Sequence, residues 1–314
     1  MLRLIPDDTS INFMKSRFVA LAVSVALMVG SLALFAVNGL NLGIDFKGGI
    51  SIEIGAHEPI DVALVRSVLS DLNLGDVKVQ EFGKPENAMI RIERQIGGED
   101  EQGNAILKVQ EALEKIMPEV IPPRSTSSIG PTVSGELAVD GTKAIVFAVI
   151  AVMIYIWLRF EWQFGLGAVL ALAHDIILTI GFFAVTRLEF NLSIIAALLT
   201  IVGYSLNDTV VVYDRVRENI RKFRKREVKD VVNLSLNQTL SRTIMTSLTT
   251  LIALLALYFF GGQAVTGFTA AMIWGVFVGT YSSVFIAAPM LLFLKVESSH
   301  LIPDEDRSSS KEKA

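Results

Sequence analysis

The sequence predicts a polytopic α-helical membrane protein with six transmembrane helices and one α+β external domain. Three observations carry this. The chain is 52 % hydrophobic and only 19 % charged, whereas soluble domains average about 25 % charged. The apolar residues gather in long runs, six of which approach or exceed the length needed to cross a bilayer. The long interval between the first two runs, 38–142, carries the strand and helix periodicities of a folded domain.

The spans read as 18–37, 143–158, 164–185, 192–213, 244–260 and 268–294. The first follows Lys15 and Arg17 and could be a signal peptide. It exceeds the usual 7–15-residue apolar region and no small-residue cleavage site is clear, so an uncleaved helix is expected. Within 38–142, Ile50, Ile52 and Ile54 alternate with Ser51 and Glu53, as in a half-buried strand. Val62, Val65, Leu69 and Leu72, joined by Leu64 and Val68, form one helical face. Val77 with Val79 and Ile90 with Ile92 mark two strands, with Gly83-Lys84-Pro85-Glu86-Asn87 as their turn. Ile106, Val109, Leu113 and Ile116 form a second helical face, and an extended stretch at 124–129 completes β-α-β-β-α-β, a ferredoxin-like plait.

Orientation follows from Lys and Arg in the short connections. Lys15 and Arg17 precede the first span, Arg159 follows the second, and the 214–243 loop opens with Arg215, Arg217, Arg221, Lys222, Arg224, Lys225 and Arg226. The opposite side carries only Arg187 in 186–191 and no charge in 261–266. The N-terminus (1–17), the basic loop and the tail (295–314) are therefore expected in the cytoplasm. The 38–142 domain is expected outside, in the periplasm if the envelope is Gram-negative. The basic stretch reads as a retention signal whose Ile220, Phe223, Val228, Val231 and Val232 could lay a helix on anionic membrane lipids. Nucleic acid is not an expected partner. The tail after Pro303 has the composition of a disordered segment.

The net charge of −4 says little, because the charges are segregated by compartment. The absence of cysteine excludes disulfides and cysteine-ligated sites. His57, His174 and His300 lie far apart in sequence. No metal-ligand spacing, phosphate-binding glycine loop or nucleophile elbow is present, so no catalytic residue, metal or cofactor is assigned.

The chemistry lies inside the membrane. Asp208 sits in an apolar span, where an ionisable group costs roughly 2.5–3.5 kcal/mol at a helix centre. Such a residue is a functional candidate by default. Thr200, Gly203 and Asn207 form a polar stripe with Tyr204 and Asp208 beside it. On the third span Gly167, Ala171, Asp175 and Thr179 recur every fourth residue, with His174 adjacent. The fifth begins Ser241-Arg242-Thr243 and presents Thr239, Thr243, Thr246 and Thr250 on one face. The last repeats Ala271, Gly275, Gly279, Ser283 and Ala287, which permits close helix approach. In lipid such faces need helix or water partners. His174 and Asp175 could be a structural hydrogen-bonded pair or part of a proton path. Asp208 and Arg242 could be a structural ion pair. A buried pair is seldom kept for stability alone, so a pair that parts and rejoins, letting Asp208 carry a proton, is the physical reading preferred here.

These residues resemble a known family. Gly43-Ile44-Asp45-Phe46-Lys47-Gly48-Gly49, with Asp45, Gly48 and Gly49, looks like the box after the first span of the SecD/SecF family, accessory membrane subunits of the bacterial Sec translocase. Ser128-Ile129-Gly130-Pro131-Thr132-Val133 resembles the box before the second. Ala173-His174-Asp175, Tyr204-Ser205-Leu206-Asn207-Asp208-Thr209, Asp214-Arg215-Val216-Arg217-Glu218-Asn219 and Gln238-Thr239-Leu240-Ser241-Arg242-Thr243 look like the later boxes in their SecF form, and the short external domain fits that branch. The resemblance covers nearly the whole chain in order. It implies half of a resistance–nodulation–division-type twelve-helix bundle and a SecD-like partner supplying the other half. It also implies association with the SecYEG channel, and a role in which the proton-motive force helps draw exported unfolded polypeptide outward after SecA has begun translocation. Protons would be the coupling ion, Asp208 and Arg242 the relay, and His174, Asp175, Asn207, Thr243 and Thr246 its polar support. The first box has a plain physical reading as well: a bend where glycines permit positive φ. The rival readings are a proton-coupled exporter of small molecules or lipids and a scaffold that moves no protons.

Overall fold

A computed structural model describes residues 9–82, 84–95, 97, 99–117 and 121–296. Gly83 of the expected turn, His300 and the tail beyond Pro303 lie outside the described residues. A 3₁₀ turn, Phe13–Lys15, leads into α1 (Arg17–Asn38) and a one-turn helix, α2 (Ile44–Lys47). The domain follows as β1 (Gly49–Gly55), α3 (Val62–Ser70), β2 (Val77–Phe82), β3 (Lys84–Ile92), α4 (Glu99–Ile116) and β4 (Ile121–Ile129). The chain returns as α5 (Pro131–Arg159), α6 (Trp162–Thr186), α7 (Leu192–Lys222), α8 (Val228–Phe260) and α9 (Gln263–Ser282). A π-helical segment, Ser283–Ala287, carries α9 on into α10 (Ala288–Phe293). Six of these helices are long and apolar enough to cross a membrane.

The domain is the expected plait. Its sheet has the order β2-β3-β1-β4 with every neighbouring pair antiparallel. Ile50 pairs with Ile92 and Ile52 with Ile90, while Val77 and Val79 face the same two residues from β2. A period of two therefore sends all these side chains to one face. There they meet Val65 and Leu69 of α3 and Val109 and Leu113 of α4, all buried. Asp61 caps α3 by accepting from Ala63 N (2.9 Å) and Leu64 N (3.1 Å). Leu64 itself is exposed and does not join the predicted apolar face. The predicted turn is also shorter than expected. Lys84–Ile92 is strand, and the backbone of Glu86 and Pro85 accepts from Ala56 N and Ile60 N, both at 2.8 Å.

In the bundle, α6, α7 and α9 form the inner layer. Of their most apolar stretches 56, 44 and 61 % of residues are buried, against 6 % in α1 and α5 and 11 % in α8. Two boundaries differ from those read in the sequence. The second helix begins at Pro131, so 131–142 belongs to α5 and not to the domain. The expected 214–243 loop is mostly helix: α7 runs to Lys222 and α8 starts at Val228. Apolar length measures the bilayer, whereas Arg, Lys and Glu prolong a helix beyond it, and Arg215 pairs with Glu218 one turn on at 2.6 Å. Val231, Val232 and Ile220 do not face lipid. They pack with Val216, Leu236 and Met14, and Asn237 and Asn233 hold the backbone of Ile11 against α8.

The small residues of the last span pack within the chain. A Cβ added at Gly279 would stand 3.0 Å from Ser205 Cβ, and one at Gly275 would collide with Ile201, both on α7. Leucine at both positions is expected to cost about 1–3 kcal/mol each through overpacking. The check is thermal unfolding of the detergent-solubilised chain alone. An unchanged midpoint would mean that the α7–α9 contact is not this close.

Candidate functional site

Two aspartates, one on α6 and one on α7, are buried in the inner layer and differ in how they are satisfied. Asp175 is saturated. Its Oδ2 accepts from Ser205 Oγ of α7 at 2.6 Å and from Ser282 Oγ of α9 at 2.8 Å. Its Oδ1 lies 2.9 Å from His174 Nδ1, which donates when it carries the proton. One carboxylate thus ties three helices together at 1 % exposure. His174 stacks on Tyr281, ring centroids 6.0 Å apart. The Tyr281 hydroxyl donates to Ala20 O at 3.0 Å and lies 2.9 Å from Ser24 Oγ, bringing in α1. His174 Nε2 is buried without a partner.

Asp208 is the opposite case. It is 4 % exposed, and its Oδ2 has no hydrogen-bond partner. One turn earlier on α7, the Tyr204 hydroxyl is likewise buried and unpartnered. The charge of Arg242, on the adjacent α8, reaches Asp208, yet among the described residues no ion pair joins them. Arg242 lies on the exposed side of α8. A buried carboxylate without its full set of partners is rare in native structures and calls for a functional explanation. Its neighbour Thr209 is paired, with Oγ1 2.9 Å from Ser283 Oγ.

The remaining candidates separate into two groups. Thr243 is buried and Thr246 half-buried. The hydroxyls of Thr239, Thr246 and Thr250 donate to carbonyls of their own helix, at 3.0, 2.9 and 2.8 Å. They need no helix partner or water, contrary to the expectation for a polar face in lipid. The link from α8 to α9 is instead Ser247–Thr280, 2.8 Å. Asn207, Gly203 and Thr200 face away from the rest of the chain. With Arg242 on α8, they are polar groups on the apolar helices that the described residues leave exposed.

The first box lies at the domain-bearing end of the bundle. Gly48 and Gly49 have φ of +74° and +131°. A Cβ at Gly49 would sit 2.6 Å from Ile92 O, so glycine is required there by both backbone and space. Asp45 does more than mark a bend: its Oδ2 accepts from Leu192 N, the first residue of α7, at 2.8 Å. Gly130 and Pro131 open α5, with proline in the first turn, where its missing N–H costs nothing. The sequence reading missed Ser205 and Ser282 as ligands of Asp175, Asp45 as a cap, and an Arg91–Glu189 ion pair between β3 and the α6–α7 connection.

Residues 108–297 match the family described as protein export membrane protein SecD/SecF, C-terminal, and residues 33–60 match the SecD/SecF GG motif. The chain belongs to the SecD/SecF family. The protein translocase subunit SecF of Rhodobacter capsulatus is 46 % identical over 308 residues, covering 94 % of this chain and 92 % of that protein. SecF of Rickettsia bellii is 45 % identical over 290 residues, covering 92 and 95 %. The fold matches SecDF of Thermus thermophilus, a translocon-associated membrane protein, with a TM-score of 0.81 at 33 % identity over 93 % of this chain. The chain spans 40 % of the length of that SecDF protein. A second SecDF structure, in a super-membrane-facing form, matches with a TM-score of 0.70 at 31 % identity. In this chain the GG motif is thus the segment that contains both the Asp45 cap and the positive-φ glycines.

Proposed function

We propose that this chain works as a SecF-type subunit that couples the proton-motive force to protein export, as one half of a bundle completed by a SecD-like subunit. It acts with the SecYEG channel on unfolded polypeptide after SecA has begun translocation. It sits in the bacterial inner membrane with both termini cytoplasmic and the α+β domain periplasmic. The basic connection Arg215–Arg226 lies at the bundle end opposite the domain, which supports that orientation.

The observation that carries the reading is Asp208, a buried carboxylate with an unpartnered oxygen and, among the described residues, no ion pair, with the outward-facing Arg242 on the adjacent helix. A proton taken up there from one side and released to the other moves charge in the membrane field, worth about 2.3 kcal/mol per elementary charge per 100 mV. The outward polar side with Asn207 and Arg242 supports a second subunit, because lipid cannot satisfy such groups.

The test uses inverted membrane vesicles from cells lacking the chain and its partner. Supplying both subunits is expected to restore the increment of export that a proton gradient adds, while export driven by ATP alone stays as it was. An increment of the same size without them would overturn the reading.

A further inference from the structure

The α+β domain is joined covalently to α1, through residues 39–48, and to α5, at Gly130. Neither helix carries Asp208. The helix that does, α7, meets the domain by contacts of another kind. Its first N–H is held by Asp45 Oδ2 at 2.8 Å. Just before it, the Glu189 carboxylate pairs with the Arg91 guanidinium from β3. Phe190 is bonded on both sides to the segment after α1: Gly43 N donates to Phe190 O and Phe190 N to Asn41 O, both at 2.8 Å.

The sheet turns its apolar face to α3 and α4, and its polar face, with Ser51, Arg91 and Ser127, toward the bundle. Two half-open clefts lie where the linker after α1 and the α6–α7 connection meet the domain: one of about 710 Å³ beside residues 74–78 and 91–95, and one of about 250 Å³ under the polar face. Ile44, Arg91 and Glu189 line both. The ion pair is therefore a post with open space on either side. Burial pulls the Arg91 guanidinium below its ordinary value and the Asp45 carboxylate opposes that shift, so the cap and the post share one electrostatic cluster.

We propose that Asp45, Arg91 and Glu189 form the joint through which displacement of α7 reaches the α+β domain. The proposal rests on the reading of Asp208 as a proton carrier. Asp208 lies 16 residues from Leu192, about 24 Å along a helix. A helix is stiff over that length, so a tilt or axial shift at Asp208 arrives at Leu192 largely undiminished. There a charge-assisted bond grips the helix end, and the ion pair hands the displacement to β3 at the middle of the sheet. The clefts leave open space beside the ion pair into which the domain can tilt, and Gly48 and Gly49 allow the covalent link to bend. Asp45, Arg91 and Glu189 are positioning residues; the proton does not pass through them.

The chain has no cysteine, so R91C with E189C can be bridged in the assembled complex by a short bis-thiosulfonate and released by reductant. Unbridged, the cysteine pair is expected to lose most of the proton-driven increment of export; bridging, which links β3 to the α7 end again, is expected to recover it, and reductant to remove it once more. A full increment in the unbridged pair, or none recovered on bridging, would overturn the joint. The charge variants test the same link without a bridge. Glu189→Gln is expected to lose most of the increment, and R91E with E189R to regain it. Equal increments in wild type, Glu189→Gln and the swap would overturn the proposal. Asp208→Asn in the same vesicles separates the two levels. If it keeps the increment, the proton reading fails. If it loses the increment while the unbridged cysteine pair and Glu189→Gln keep it, only the joint fails.

Discussion

Asp208→Asn is expected to assemble and fold normally and to lose the whole proton-driven increment of export, with ATP-driven export intact. Asparagine keeps the size and much of the hydrogen bonding but cannot titrate. The variant should unfold at the same temperature as the wild type or slightly higher, because a buried carboxylate with an unpartnered oxygen is a cost that the neutral amide reduces. Arg242→Met should also impair coupling, since Asp208 would lose the charge of Arg242 on the adjacent helix. The double variant decides between carrier and brace. A structural pair would be largely rescued when both charges go, because no unpaired buried charge is left. No ion pair joins the two residues here, so rescue is not expected. Gradient-driven export in vesicles, with thermal unfolding of the same samples, checks all three variants. A full increment in Asp208→Asn, or rescue in the double variant, would leave a scaffold.

The second large effect falls on stability and has the opposite sign. Asp175→Ala is expected to destabilise the chain by about 2–4 kcal/mol. Interhelical hydrogen bonds in membranes average about 0.6 kcal/mol and reach about 1.7 kcal/mol. The two serine bonds to Asp175 lie toward the upper end, and removal also strands His174 Nδ1 and Ser205, whereas Ser282 keeps the Gly279 carbonyl at 3.1 Å. Asp175→Asn should lose less, because the amide oxygen still accepts. The measurement is thermal unfolding in one detergent. If Asp175→Ala unfolds with the wild type, the three-helix tie contributes nothing. On these expectations the two aspartates differ in role: truncating Asp175 loses stability, whereas neutralising Asp208 loses function.

Much of this was legible before any coordinates. The plait follows from alternation in Ile50–Ile54 and from the helical spacing of Val65, Leu69, Val109 and Leu113, all of which are buried. The spans follow from apolar length. Helix ends did not, because the charged turns after Tyr213 and before Ile244 read as loop by polarity yet continue the helices. Asp208 and Asp175 stood out as charges in apolar surroundings. Their difference could not be read, since it depends on which hydroxyls from other helices arrive at each. Ser205 is only three residues from Asp208 but points to Asp175, and Ser282 is 107 positions from the residue it serves. The Arg91–Glu189 pair is likewise a product of tertiary approach, between residues that look like ordinary surface charges in the sequence.

The π-helical segment Ser283–Ala287 changes the helical phase of the last span. Ala288 N bonds to Ser283 O, five residues back, so the segment holds one more residue than an α-helix of the same number of turns. One extra residue advances the phase by about 100°. At its start, Ser282 faces Asp175 and Ser283 faces Thr209. At its end, Ala287, Ala288 and Leu291 are all buried, and Ala287 O accepts from Tyr213 at 3.0 Å. In a strictly α-helical span the two halves would be out of phase, and either the serines or the Ala288–Leu291 face would turn away from α6 and α7. The inserted residue lets one helix keep two inward faces that a regular repeat could not align.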